Sequence, residues 1–137
     1  MSNKLAIIVE SGTFDKLMAA SILTAGAAAM GREVTVFLTF GGLMAFRRGA
    51  ETQPPVMPNE FQGMEAMVGQ IMQAKQVPHW MENFRAAKEV GSVSVLACSA
   101  TLEMFDLKLE HLDPMVEAVV GVAHFIKVSE GAQTLFI

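Results

Sequence analysis

One cysteine, Cys98, ends a run that reads as a buried strand, Ser92-Val93-Ser94-Val95-Leu96-Ala97-Cys98. The next residues, Ser99-Ala100-Thr101-Leu102-Glu103-Met104-Phe105, read as the first turns of a helix. A thiol at such a junction meets outward-pointing backbone N–H groups and the positive end of a helix dipole, and both favour the thiolate. Ser99, Ala100 and Thr101 would supply those N–H groups. A persulfide or thiosulfonate would be held as an anion in the same way. The competing reading is a buried cysteine acting as a small hydrophobe.

Three histidines could supply a base. His124 is the best placed, in the first turn of a helix that follows a strand; His79 and His111 have no such position. A base must reach the thiol through a hydrogen bond, and an unplaced histidine is more often structural or exposed. Glu10 and Asp106 flank the expected site. Glu10 reads either as a polar anchor or as a solvated strand end. The histidines and the cysteine lack metal-ligand spacing, so no metal and no cofactor is expected. Ser11-Gly12-Thr13 and Gly41-Gly42 match neither the dinucleotide fingerprint nor the P-loop. A nucleotide or flavin site would rest on fold analogy alone.

These residues need elements to position them. Leu5-Ala6-Ile7-Ile8-Val9 is apolar without alternation, the pattern of a central parallel strand covered on both faces. Ser11 or Thr13 can cap the helix that follows, and Gly31 stops it. That helix is apolar almost all round, so a second partner besides the sheet is expected. Val34–Phe40 is a second strand, and Gly41-Gly42 opens a short helix to about Arg48. Pro54, Pro55 and Pro58 make Gly49–Glu60 a long loop, a common form of lid or binding loop. Met64, Met67, Val68, Ile71 and Met72 fit one amphipathic helix, and Trp80, Met81, Phe84 and Ala87 fit another. The Cys98 strand and its helix follow. Met115–Val120, helix Val122–Glu130 and strand Thr134–Ile137 complete the chain.

This alternation implies five parallel strands with helices on both faces. Ligands in such sheets sit beyond the carboxyl ends of the strands. Four loops converge there: Glu10–Thr13, Thr39–Gly42, Cys98–Thr101 and Val120–Val122. Ser11, Gly12, Gly41 and Gly42 are the expected pocket wall around Cys98.

At 137 residues the chain reads as one domain. Apolar residues make up 52% and charged residues 18%, against ~45–50% and ~25% in ordinary domains. The surplus points to apolar surface at a subunit interface. A net charge of −4 and scattered basic residues argue against nucleic acid. No run reaches the ~20 apolar residues of a membrane span, and no signal peptide is evident. A lone cysteine makes no internal disulfide, so a soluble, cytoplasmic protein is expected.

The chain resembles the DsrE/DsrF-like sulfurtransferases, in particular the single-cysteine branch grouped as DsrE-like peroxiredoxin-family proteins. The resemblance lies in Ile7–Lys16, Ala27–Phe37, Thr39–Leu43 and, above all, Ala97-Cys98-Ser99-Ala100-Thr101-Leu102-Glu103-Met104-Phe105-Asp106-Leu107-Lys108. It implies a single DsrE-like domain over 1–137, a three-layer α/β/α fold with a five-stranded parallel sheet, and homo-oligomers of dimer, trimer or hexamer type. It also implies that Cys98 accepts sulfane sulfur and passes it on, commonly to a small TusA-like carrier. With no second cysteine, a resolving cysteine within the chain is ruled out. The rival expectation is a non-catalytic assembly or small-ligand-binding subunit of the same fold.

Overall fold

The computed structural model describes residues 3–137. Five strands, β1 (Lys4–Val9), β2 (Glu33–Leu38), β3 (Val93–Cys98), β4 (Ala118–Val120) and β5 (Gln133–Phe136), form one sheet of order β4-β3-β2-β1-β5. Every pairing is parallel. Six helices connect them: α1 (Phe14–Ala29), α2 (Phe40–Met44), α3 (Glu65–Ala74), α4 (Trp80–Val90), α5 (Ser99–Met104) and α6 (Val122–Val128). The α/β fold expected from the alternation is the one observed.

Strand order decides which face each helix covers. The chain steps from β1 to β2, β3 and β4 in one direction across the sheet. Right-handed crossovers therefore lay α1 and α4 on one face. The last crossover runs back from β4 to β5, on the far edge, so α6 lies on the opposite face. Strand side chains alternate accordingly. Leu5, Ile7, Val9, Val34, Val36, Leu38, Val95 and Ala97 join the main core with α1 and α4. Ala6, Phe37, Leu96 and Cys98 form a second, thinner core with Phe125 of α6. Phe37 and Phe125 stack with ring centroids 4.4 Å apart.

The expected second partner of α1 is α4. Ser21 is fully buried between them and accepts a hydrogen bond from Asn83 Nδ2 at 3.1 Å. Gly91, just past α4, lies so close to α1 that a Cβ there would meet Ala28 Cβ at 2.8 Å.

Several elements differ from expectation. β2 ends at Leu38 rather than Phe40, which opens α2 instead, and α6 ends at Val128 rather than Glu130. β4 begins at Ala118 rather than Met115. Met115 and Val116 are buried in the core just before it, held by a turn in which Asp113 Oδ1 accepts from Met115 N–H. α2 ends at Met44, four residues short of Arg48. The methionine helix α3 forms, but none of its residues is buried. Met67 and Ile71 on its apolar stripe are about half exposed, at 50% and 52%. Its period is that of a core helix, but the chain covers that stripe only in part: Met64, Val68 and Met72 are half-buried, Met67 and Ile71 are not.

Candidate functional site

Cys98 is the last residue of β3 and the residue preceding α5. The register pairs Leu38 with Ala97, so Thr39 follows β2 beside Cys98. Thr101, in the first turn of α5, is buried. Its Oγ1 lies 3.0 Å from Thr39 Oγ1 and accepts from Phe40 N–H at 3.3 Å. Phe40 carries φ of +42°, a left-handed backbone uncommon for a residue with a large side chain. The hydroxyl of Thr101 thus ties the turn after β2 to the start of α5.

Cys98 is buried, packed in the thinner core with Ala6, Phe37, Leu96 and Phe125. Burial pushes the Cys98 pKa up, because desolvation disfavours the thiolate. The backbone and hydroxyl of Thr101, the backbone of Ala100 and the hydroxyl of Thr39 favour the thiolate and outweigh it, although the thiol makes no cap hydrogen bond to α5 in this structure. The net result is a thiol below its ordinary value. Short helices with unpaired first-turn N–H groups favour anions in the same sense. The strand-to-helix junction is present, with Cys98 directly preceding α5, and Thr39 is a neighbour that the linear sequence did not single out. Its neighbour relation to Cys98 follows from strand register, which is not visible in the chain order.

The four loops meet in sequence along the sheet edge. Gly42 N–H donates to Glu10 O at 3.0 Å. A Cβ on Gly12 would lie 2.4 Å from Gly41 O, and one on Gly42 would lie 2.1 Å from Val9 O. These glycines are present because backbone meets backbone there. The loop after β4 comes up to the other side, with Gly121 facing Ser99 Oγ. Ser11 Oγ accepts from Thr13 N–H at 3.2 Å, closing the turn before α1.

Other expected members of the site do not gather at the thiol. Gly12 and Gly41 line a cavity, but it opens on the α1 and α4 face and Cys98 is not in its wall. Ser11 and Gly42 lie in neither cavity wall. His124 is exposed on α6 and has no hydrogen bond to Cys98. Glu10 is exposed, and its contribution is its backbone, whose N–H donates to Ile137 O. Asp106 lies beyond the C-terminal end of α5, exposed, with a left-handed φ of +52°. Among the described residues, no group of three or more His, Cys, Asp or Glu side chains gathers as metal ligands would. Among the described residues, no helix is long and apolar enough to cross a membrane.

Cys98 thus stands at the start of α5 beside a bonded pair of threonine hydroxyls, a setting that lowers its pKa. Comparison with known proteins places the chain among others of its kind. A family model described as DsrE/DsrF/DrsH-like matches residues 1–136. The sulfur carrier protein DsrE2 of Allochromatium vinosum is 30% identical, with 98% of each chain covered. The uncharacterized protein YrkE of Bacillus subtilis is also 30% identical, over 99% of this chain and 98% of its own. Two solved structures share the fold. The Methanobacterium thermoautotrophicum protein MTH1491 superposes with a TM-score of 0.61 at 15% identity, covering 98% of both chains. The Escherichia coli protein ychN gives 0.60 at 18% identity, over 98% of this chain and 99% of its own. With the match running from end to end of the sheet and through the Cys98 junction, the chain belongs to the DsrE/DsrF/DrsH-like family.

Proposed function

We propose that the protein is a cytoplasmic sulfur relay in which Cys98 carries sulfane sulfur. The observation that supports this reading is the lowered thiol held by Thr39, Ala100 and Thr101 in a chain whose relative is named a sulfur carrier. In the step envisaged, the Cys98 thiolate attacks the outer sulfur of a donor persulfide. The sulfur–sulfur bond of the donor breaks, the donor leaves as a thiolate, and Cys98 becomes Cys98–S–SH. An acceptor thiolate, such as that of a TusA-like carrier, then attacks the outer sulfur and releases the Cys98 thiolate. Sulfur moves with no net oxidation. One proton of the Thr39–Thr101 hydroxyl pair joins the two oxygens; the other, with the N–H groups of Ala100 and Thr101, stabilises the anion before and after transfer. A lowered thiol pKa eases the need for a side-chain base, and His124, exposed on α6, makes no hydrogen bond to Cys98. The protein acts as one DsrE-like domain spanning 1–137.

Mass spectrometry after incubation with polysulfide or tetrathionate tests the reading. The expected result is a sulfur or thiosulfonate adduct on Cys98, absent in Cys98→Ser. A wild-type chain that stays unmodified, with a thiol titrating near the free value of ~8.5, would overturn it.

Assembly into a homo-oligomer is part of the same proposal. A parallel sheet is normally covered on both faces, but here a single seven-residue helix, α6, covers the second face. Val122 and Ile126 of α6 are 61% and 60% exposed, and Phe136, in register with Ile8, is 68% exposed. This apolar surface also supports the rival reading of a mainly structural subunit. Unchanged sulfur transfer by a complex carrying Cys98→Ser would favour that rival.

A further inference from the structure

On the face of the sheet opposite Cys98 lies a cavity of about 430 Å³. That volume is within the ~300–1,000 Å³ of small-molecule sites. The proline loop between α2 and α3 forms its outer wall. Phe14 N–H donates to Val56 O at 2.7 Å and clips that loop to the start of α1. The loop is also held at Glu51, whose carboxylate pairs with Arg85 at 2.7 Å. Phe14, Leu17, Met44, Val56, Met72 and Trp80 give the interior an apolar surface.

Three chargeable side chains border this space: Arg47, Glu51 and His79. Glu51 is committed to Arg85. His79 is kept neutral, since burial lowers its pKa and its Nδ1 accepts from Met81 N–H at 3.0 Å. Arg47 has no acidic partner among the described residues; its Nε donates to Met44 O at 2.9 Å, and its fork is otherwise unused. A β-bridge to Leu112 fixes its backbone at the rim. The wall is therefore apolar, and Arg47 is the bordering cation with no acidic partner among the described residues, while Glu51 shares Arg85 with Glu82 and Asp113.

We infer that this cavity is a second binding site, separate from the thiol, for a small molecule with an apolar body and one anionic end. The apolar part lies against Leu17, Met44 and Trp80, and the anion meets the guanidinium of Arg47, which is suited to carboxylate or sulfonate oxygens. The site touches the thiol environment at one turn. Gly41 lines the cavity, while Thr39 and Phe40, just before it, are bonded to Thr101. The inference does not depend on the sulfur-relay reading, because none of the thiol's partners lies in the cavity wall.

Trp80 gives a direct readout. It is the only tryptophan, and the chain has no tyrosine, so intrinsic emission comes from the cavity wall. Octanoate titrated into the full-length protein below its micelle concentration is expected to change that emission saturably, at one molecule per chain. Arg47→Gln should weaken octanoate roughly fivefold, as for a solvent-accessible ion pair, and leave octanol unchanged. Ala45→Phe, placing a ring in the wall, should abolish both responses; Ala50→Phe serves if the first variant fails to fold. Emission that does not saturate, or that saturates equally in a folded filling variant, overturns the site. Equal affinity for octanoate and octanol, untouched by Arg47→Gln, overturns the proposed ligand class. Cys98→Ser carried through the same titration keeps this outcome separate from the fate of the relay reading.

Discussion

Thr101→Val removes one hydroxyl from the thiol site while keeping nearly the same shape. In the wild type that oxygen pairs with Thr39 Oγ1 at 3.0 Å and accepts from Phe40 N–H at 3.3 Å, and it helps to lower the thiol pKa. A neutral hydrogen bond nets about 0.5–1.5 kcal/mol, so losing the two to the β2–α2 turn costs about 1–3 kcal/mol. For a chain of this size that lowers Tm by roughly 4–10 °C. The same hydroxyl is one of the groups that hold the Cys98 pKa down, so without it the thiol should titrate higher. The assay is alkylation of Cys98 by iodoacetamide across pH, followed by intact mass, alongside thermal melts. The alkylation midpoint should move up in Thr101→Val and stay low in Thr101→Ser, which keeps the hydroxyl. Stability carries the same sign. The folded thiol titrates below its unfolded value, so its stabilisation is present above ~8.5 and is lost as pH falls through the lowered value. The melting gap between wild type and Thr101→Val should therefore widen with rising pH. Unchanged midpoint and Tm would refute the assignment of Thr101 as the hydroxyl that holds both the turn and the anion.

Gly42→Ala should cost at least about 1–3 kcal/mol, because its Cβ would fall 2.1 Å from Val9 O and backbone must shift; chemical denaturation measures it. His79 caps α4 through its unprotonated Nδ1, and burial holds its pKa down. The unfolded chain thus takes the proton first, and stability should fall as pH drops through ~6.5. A melt at pH below and above that value should show a loss of up to about 1 kcal/mol, the worth of a cap, and His79→Asn, which retains a capping oxygen, should flatten it. Arg85 pairs with Glu51, Glu82 and Asp113 and so joins the proline loop to α4 and the turn before β4. The network is a third exposed on the arginine side, so Arg85→Leu should cost only about 1 kcal/mol globally, yet speed proteolytic cleavage between residues 50 and 61.

Much of this protein is legible in the chain. Leu5–Val9 reads as a central strand because a strand buried on both faces needs no alternation. The thiol at the head of α5 is visible because a strand and a helix abut with no loop between them. Helix α3 marks where periodicity stops being informative: a repeat of Met64, Val68, Ile71 and Met72 specifies an apolar stripe but not what covers it. The same limit applies to His124, whose place early in its helix says which end of the sheet it is near, while its exposure depends on the side from which α6 docks.

The sequence alone determined the strand–helix alternation, the single cysteine at a helix start and the absence of a second cysteine. Those are local properties, set by side-chain period and by residue count. Only tertiary structure decided that Thr39 joins Cys98, because adjacency between β2 and β3 is a matter of register. It also decided that Gly12 and Gly41 serve a cavity on the other face, because successive strand residues point to opposite sides of a sheet. The thiol and the cavity share one turn of chain and face apart, an arrangement written in the strand order and in no single segment.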